Sequence, residues 1–174
     1  MAARLIVAPS AEVATLTEVK ALIRVTDPDE DAVVQAMIDA AVGMMDGRGG
    51  LLGRAIMAQV WAEDLAVPGP WVLALPDIEA ASLTATLDGV VVDAGALSLA
   101  ASEGGPVLTL TGLSGAVLAV QYSCALPAAK LKTVKVLISL IVDYWYALRS
   151  AGQEDGGLPG PALGLIEQLR WPGV

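Results

Sequence analysis

Residues 127–149, PAAKLKTVKVLISLIVDYWYALR, constrain this chain more than any other stretch. Leu131, Val134, Ile138, Ile141, Trp145 and Leu148 recur at alternating steps of three and four, so one long helix carries them on a single face. Leu137, Leu140 and Tyr144 form a second stripe beside the first, and Lys130, Lys132 and Lys135 fill much of the rest of the first half. A helix with two apolar stripes needs two sets of neighbours. These are either elements of its own domain or a further subunit.

A hydrophobic fraction of 55% and mean hydropathy of +0.64 raise the question of a membrane span. Val136–Val142 is apolar, but Lys135 and Asp143 bracket it far short of the roughly 20 residues a span needs. Residues 104–129 carry no charge until Lys130, yet they alternate and are broken by Gly112, Ser114 and Gly115, the pattern of strands and turns. No membrane segment is expected. The N-terminal run MAARLIVAPSAE is too brief for the apolar core of a signal peptide. The single cysteine, Cys124, sits in an apolar strand pattern and is expected to be a buried thiol. With no histidine in the chain, imidazole metal sites and His-based nucleophile pairs are excluded. A net charge of −9 argues against a surface built to grip nucleic-acid phosphates.

The remaining patterning divides into blocks. Thr15-Leu16-Thr17-Glu18 is a capping box that opens a helix over 15–25. Asp27-Pro28-Asp29-Glu30 opens a second over 28–46, with an Asp cap, proline in the first turn and carboxylates facing the helix dipole. Its apolar residues form two adjoining faces, one of Val33, Met37, Ala40 and Met44, the other of Val34, Ile38, Ala41 and Met45. Gly47-Arg48-Gly49-Gly50 ends it. Residues 51–125 read as β structure. Strands are expected at 56–65, 71–75, 83–87, 90–92, 97–101, 107–111 and 117–123, with Asp88-Gly89 as a type I′ hairpin turn. Several exceed pure alternation, which predicts strands covered on both faces. After the long helix comes a Gly/Pro-rich linker, 150–161, and a short C-terminal helix. The fold class expected is α+β: an N-terminal helix pair and a long C-terminal helix form a bundle, with an inserted antiparallel β-domain and a short terminal helix. The division expected is a core over 1–157 and a tail helix over 158–174.

Catalytic constellations are missing from the pattern. Asp27, Asp29, Glu30 and Asp31 lack the loop spacing of a calcium site, and a capped helix start accounts for them. Gly47–Gly53 lacks the Gly-Lys-Ser/Thr of a phosphate loop and follows a helix rather than a strand. No catalytic, cofactor-binding or metal-binding residue is assigned, and the chain is not expected to be an enzyme.

The order of parts carries a resemblance. Leu22-Ile23-Arg24-Val25 before the acidic helix start, Gly53-Arg54-Ala55 with Gln59 and Trp61, Leu75-Pro76, and Leu126-Pro127 leading to Trp145-Tyr146 and Arg149 occur in this sequence. Together they resemble the head–tail connector (adaptor) family of long-tailed phages, prophages and gene transfer agents. The resemblance runs from Leu16 to Arg149. Ser123-Cys124-Ala125 stands where members often have Ala-Gly-Tyr.

What the resemblance implies is a structural virion protein assembled in the bacterial cytoplasm. It would form a ring, usually of about twelve copies with unlike contacting patches, in the neck of the particle. Its partners would be further copies of itself, the portal above and a stopper or tail-terminator protein below. Double-stranded DNA would pass through the lumen without specific binding. Subunit-interface candidates are Met37, Met44, Leu137 and Tyr144. Leu165, Ile166 and Leu169 share a face of the terminal helix, with Arg170 and Trp171 beyond. The resemblance makes these five the portal-binding candidates, although the same residues could fold back onto the subunit's own core. Two other readings stay open: a small-molecule-binding or regulatory α+β domain with Trp61, Trp71 and Tyr122 lining a sheet–helix pocket, and a stopper or tail-completion protein.

Overall fold

The computed structural model describes residues 3–150 and 157–171. In chain order the regular elements are β1 (Arg4–Val7), α1 (Leu16–Ile23), α2 (Asp31–Met45), β2 (Gln59–Ala66), β3 (Trp71–Val72), β4 (Thr84–Leu87), β5 (Val90–Val91), β6 (Leu97–Ser102), β7 (Gly105–Leu110), β8 (Val117–Cys124), α3 (Ala128–Ser150) and α4 (Gly160–Leu169). The architecture is α+β, with helices bundled together and the strands antiparallel. Two compact units divide the chain. One takes Glu12–Ile56 and Pro127–Arg170; the other takes the described parts of Met1–Ala11, Met57–Leu126 and Trp171–Val174.

In the helical unit, local chemistry sets the ends of the elements. Thr15 Oγ1 accepts from the Glu18 amide at 3.3 Å while the Thr15 amide donates to Glu18 Oε2 at 3.0 Å, closing the capping box. Arg24 ends α1 in a left-handed conformation, φ 59°. Asp27 accepts from the Asp29 amide at 3.0 Å, and a short 3₁₀ turn over Pro28–Glu30 leads into α2. Gly50 folds so closely over the end of α2 that a Cβ there would lie 2.3 Å from the Asp46 carbonyl oxygen, so only glycine fits. α3 contacts α1, α2 and α4, and its Val134, Leu137, Ile138, Ile141 and Val142 are buried.

The β unit holds a five-stranded sheet in the order β1-β2-β8-β4-β5 and a three-stranded sheet in the order β3-β7-β6. At the Asp88-Gly89 turn both residues have positive φ, 50° and 86°, as a type I′ hairpin requires. The Asp88 carboxylate then accepts from the Ala116 and Val117 amides, each at 2.9 Å, fastening the hairpin to the start of β8. Those two hydrogen bonds lower its pKa.

Four sequence expectations change here. β1 is a strand that the apolar run Arg4–Val7 did not announce; it pairs antiparallel with β2. β2 begins at Gln59 rather than residue 56, because the Ile56 amide donates to Asp46 Oδ1 at 2.7 Å instead of joining a ladder. β3 stops at Val72, since the Ala74 amide turns away to Glu63 Oε1 at 2.9 Å. The strands of the large sheet are not covered on both faces. Gln59, Trp61, Glu63 and Leu65 of β2 are buried while Val60, Ala62 and Asp64 are half-exposed, and β8 alternates likewise. The apolar residues on the open face are small or β-branched, which masks the alternation in sequence. Cys124 is buried. Of the linker expected over 150–161, residues 151–156 lie outside the described residues.

Candidate assembly surfaces

α2 carries two apolar faces, and the fold treats them differently. Val34, Ile38, Ala41 and Met45 are buried, whereas Val33, Met37 and Met44 are half-exposed and Ala40 is exposed. Met37 and Met44 therefore keep surface that a neighbour can cover. Tyr144 is half-exposed as well. Leu137 is different: it is completely buried in its own subunit, so it has no surface to offer and belongs to the core. Sequence placed it on the second stripe with Leu140 and Tyr144, but with 3.6 residues per turn the two stripes of α3 adjoin, and Leu137 is buried with the first while Leu140 and Tyr144 stay half-exposed.

The terminal helix is also divided. Its Ala162, Ile166 and Leu169 are buried and α4 packs on α3. Arg54, itself buried, donates from Nη1 to the Leu169 carbonyl oxygen at 3.1 Å, taking up one of the carbonyls that a helix end leaves open. Trp145 Nε1 donates to the Gly157 carbonyl at 3.2 Å, where the chain enters the α4 segment. Of the portal-binding candidates, Ile166 and Leu169 thus face the subunit's own core, Leu165 and Trp171 are half-exposed, and Arg170 is exposed. Arg54 was quoted in sequence only as part of a motif. Its position beside glycine gave no sign that it reaches a residue 115 positions away.

The aromatic residues of the pocket reading are packed and hydrogen-bonded within the β unit. Tyr122 is fully buried and its hydroxyl donates to Glu63 Oε1 at 2.5 Å; Trp61 is buried and donates to Gln59 Oε1 at 3.0 Å. The buried Glu63 carboxylate thus accepts from β8 and from the Ala74 amide, and the buried Gln59 amide oxygen from Trp61 of its own strand, as buried polar groups require. Burial, and then Glu63, push the Tyr122 phenol well above its ordinary pKa. Trp71 is half-exposed and bonds the Ala66 carbonyl at 2.7 Å. Two grooves lie within the β unit. One, of about 340 Å³, runs past Pro76, Leu99 and Trp171; the other, of about 500 Å³, crosses the open face of the large sheet past Asp64, Thr86 and Gln121. Trp61, Trp71 and Tyr122 line neither.

The acidic run at the start of α2 is tied to cations of the helical unit. Lys20 Nζ pairs with Asp31 and reaches the Asp27 carbonyl at 2.8 Å; Arg149 holds Glu30 through two contacts of 2.8 and 3.2 Å. Lys135 pairs with Glu18 at 2.6 Å. Among the described residues no group of three or more His, Cys, Asp or Glu is placed to hold a metal ion, and no helix is long and apolar enough to cross a membrane. The Lys135 bond, then the Thr15 amide, bring the Glu18 carboxyl down from 4.5 to about 2. A depressed carboxyl pKa stabilises the fold above its unfolded value and loses that contribution as pH falls through the folded one. Glu18→Gln is therefore expected to lower the melting temperature at pH 7. The gap to the unmodified protein should close as pH falls from 4.5 towards 2. A gap of constant size across that range would show that the Lys135 and Thr15 bonds do not form in solution.

The comparisons with known proteins point one way. The family model described as head completion protein matches residues 12–157. The fold is similar to that of a chain in the virion of a native gene transfer agent particle, with a TM-score of 0.70 and 18% identity over 100% of this chain and 97% of that one. It is similar also to a chain in the neck of an empty gene transfer agent particle computed with C6 symmetry, with a TM-score of 0.71 and the same identity and coverage. At that identity the likeness is one of fold. No curated protein matches the chain.

Proposed function

The chain belongs to the head completion protein family, and on that premise we propose that it is the head–tail adaptor in the neck of a phage-like particle. About twelve copies form a ring beneath the portal, each using two unlike patches as a closed cyclic contact requires. The ring joins the portal to the stopper or tail components and surrounds the DNA channel. The observation that carries this reading is the family match from the start of α1 to beyond α3. The full-length likeness to a neck chain in a sixfold map adds support, since twelve copies are compatible with that symmetry. The half-exposed Met37, Met44 and Tyr144 supply apolar surface for neighbouring copies. Exposed Arg170, with the half-exposed Leu165 and Trp171, is the surface of the terminal segment that would meet the portal.

A net charge of −9 suits a channel wall that lets phosphates pass, because few cations are available for phosphate contacts. The test is co-expression with the portal of the same particle, followed by negative-stain imaging. Rings stacked on the portal are expected, and they should not retain free duplex DNA at physiological salt. A strictly monomeric species at high concentration with portal present would overturn the adaptor role, and tight DNA retention would overturn the passive channel.

A further inference from the structure

Arg54 is the one buried cation among the described residues, with 4% of its surface exposed. Its backbone is pinned to the end of α2. The Gly47 amide donates to the Arg54 carbonyl at 2.9 Å, the Leu51 amide to the Met44 carbonyl at 2.9 Å, and the Ile56 amide to Asp46 Oδ1 at 2.7 Å. Leu52, Ala55 and Ile56 beside it are buried as well. From this fixed base Nη1 donates to the carbonyl of Leu169, the last residue of α4. α4 has little of its own to hold that end. It is ten residues long, carries Gly164 in its interior and has no basic residue in its last turn. Isolated helices of that length are marginal, and an interior glycine weakens them further. The open carbonyls of a final turn favour a nearby cation, and Arg54 supplies it from another part of the helical unit.

The residue after Leu169 is Arg170, exposed and assigned above to the portal. It leaves the helical conformation, with φ −58° and ψ 141°, while its amide still donates to the Ile166 carbonyl at 2.7 Å. Its place therefore depends on the last turn of α4 being formed. We propose that Arg54 is a positioning residue for the portal contact: its bond to the Leu169 carbonyl fixes that last turn and so the point from which Arg170 projects. This rests on the adaptor reading given above. Arg54 is buried and does not itself meet the portal. A methionine would fill much the same space without the cost of desolvating a charge. What it lacks is the donor, and the donor is what the end of α4 uses.

A double-mutant cycle tests this, read as capture of the full-length protein by the portal at a temperature where circular dichroism shows each variant folded. Arg54→Met and Arg170→Ala should each weaken capture roughly tenfold. The double variant should be no more than about twofold weaker than Arg170→Ala, because both changes remove the same contact. Arg54→Lys keeps the charge and a donor and should lose less than Arg54→Met. The cycle is repeated with it, so that an unfolded methionine variant leaves the test standing. A second readout needs no portal: hydrogen exchange of the Arg170 amide should accelerate in Arg54→Met at least about tenfold more than that of the α3 amides. Normal capture of Arg54→Met, losses that multiply in the double variant, or an Arg170 amide that keeps pace with α3 would each overturn the positioning role and leave the adaptor standing. An unmodified protein that the portal does not capture, or an Arg170→Ala chain captured as tightly as the parent, would overturn the portal contact and this assignment with it.

Discussion

Replacing Met45 with aspartate is expected to unfold the subunit, whereas the same change at Met37 should leave it folded and stop it assembling. Both residues lie on α2 and both belong to apolar faces in sequence, so the contrast isolates burial. Met45 is completely buried among the residues of the inner face, and a charge there has no partner. An uncompensated buried charge costs about 3–5 kcal/mol, a large share of the roughly 5–15 kcal/mol that holds a domain together. Met37 is half-exposed, so the aspartate stays hydrated in the free subunit and costs little. In a ring the same aspartate would be desolvated at every contact. Circular dichroism melting separates the first effect, and light scattering with portal present separates the second. If Met37→Asp unfolds the protein as Met45→Asp does, the outer face of α2 is core. If it assembles normally, that face is not an interface.

Truncation after Gly157 is expected to destabilise the helical unit severely. Sequence patterning left the C-terminal helix balanced between a mobile anchor and a cover for the core. Ile166 and Leu169 are 8 and 2% exposed, and burying an aliphatic side chain of that size is worth about 1.5–3 kcal/mol. Losing both removes roughly 3–6 kcal/mol, to which the loss of buried Ala162 and of the Arg54 bond to the Leu169 carbonyl adds. The point changes Ile166→Ala and Leu169→Ala should each cost about 2–5 kcal/mol. Arg170→Ala, at an exposed position, should lower the melting temperature far less than either of these changes and weaken capture by the portal. Differential scanning fluorimetry and portal pull-down give the two readouts. A truncated chain that melts like the full one would make α4 a loose appendage and return the whole of it to the portal. An Arg170→Ala chain that binds portal as well as the parent would remove that residue from the contact.

The Asp88-Gly89 hairpin, the Thr15–Glu18 capping box and the long helix ending near Arg149 were legible in sequence because each is written locally. A turn that needs two positive φ values selects Asp-Gly, and a cap needs its partner three residues on. The shape of the candidate surfaces was less legible. Met37 and Met45 are the same residue type eight positions apart, and periodicity places both on apolar faces without saying which face meets the core. The same limit put Leu137 among the interface candidates when it is fully buried. β1 was missed because four residues bearing an arginine and no alternation carry no strand signal of their own; pairing with β2 makes them a strand.

Sequence alone settled the local and the negative: where helices start, where the chain turns, that no imidazole chemistry is possible, and the order of parts that resembles the connector family. These follow from residue type and from spacings of a few positions. The tertiary structure decided which of two adjoining faces is buried, that Arg54 closes the end of α4, and which strands are left as edges. Those outcomes depend on residues far apart in the chain meeting in space, such as Arg54 with Leu169 and Glu63 with Tyr122. Local periodicity fixes where a side chain sits around its own helix or strand. Only packing determines what, if anything, lies opposite it.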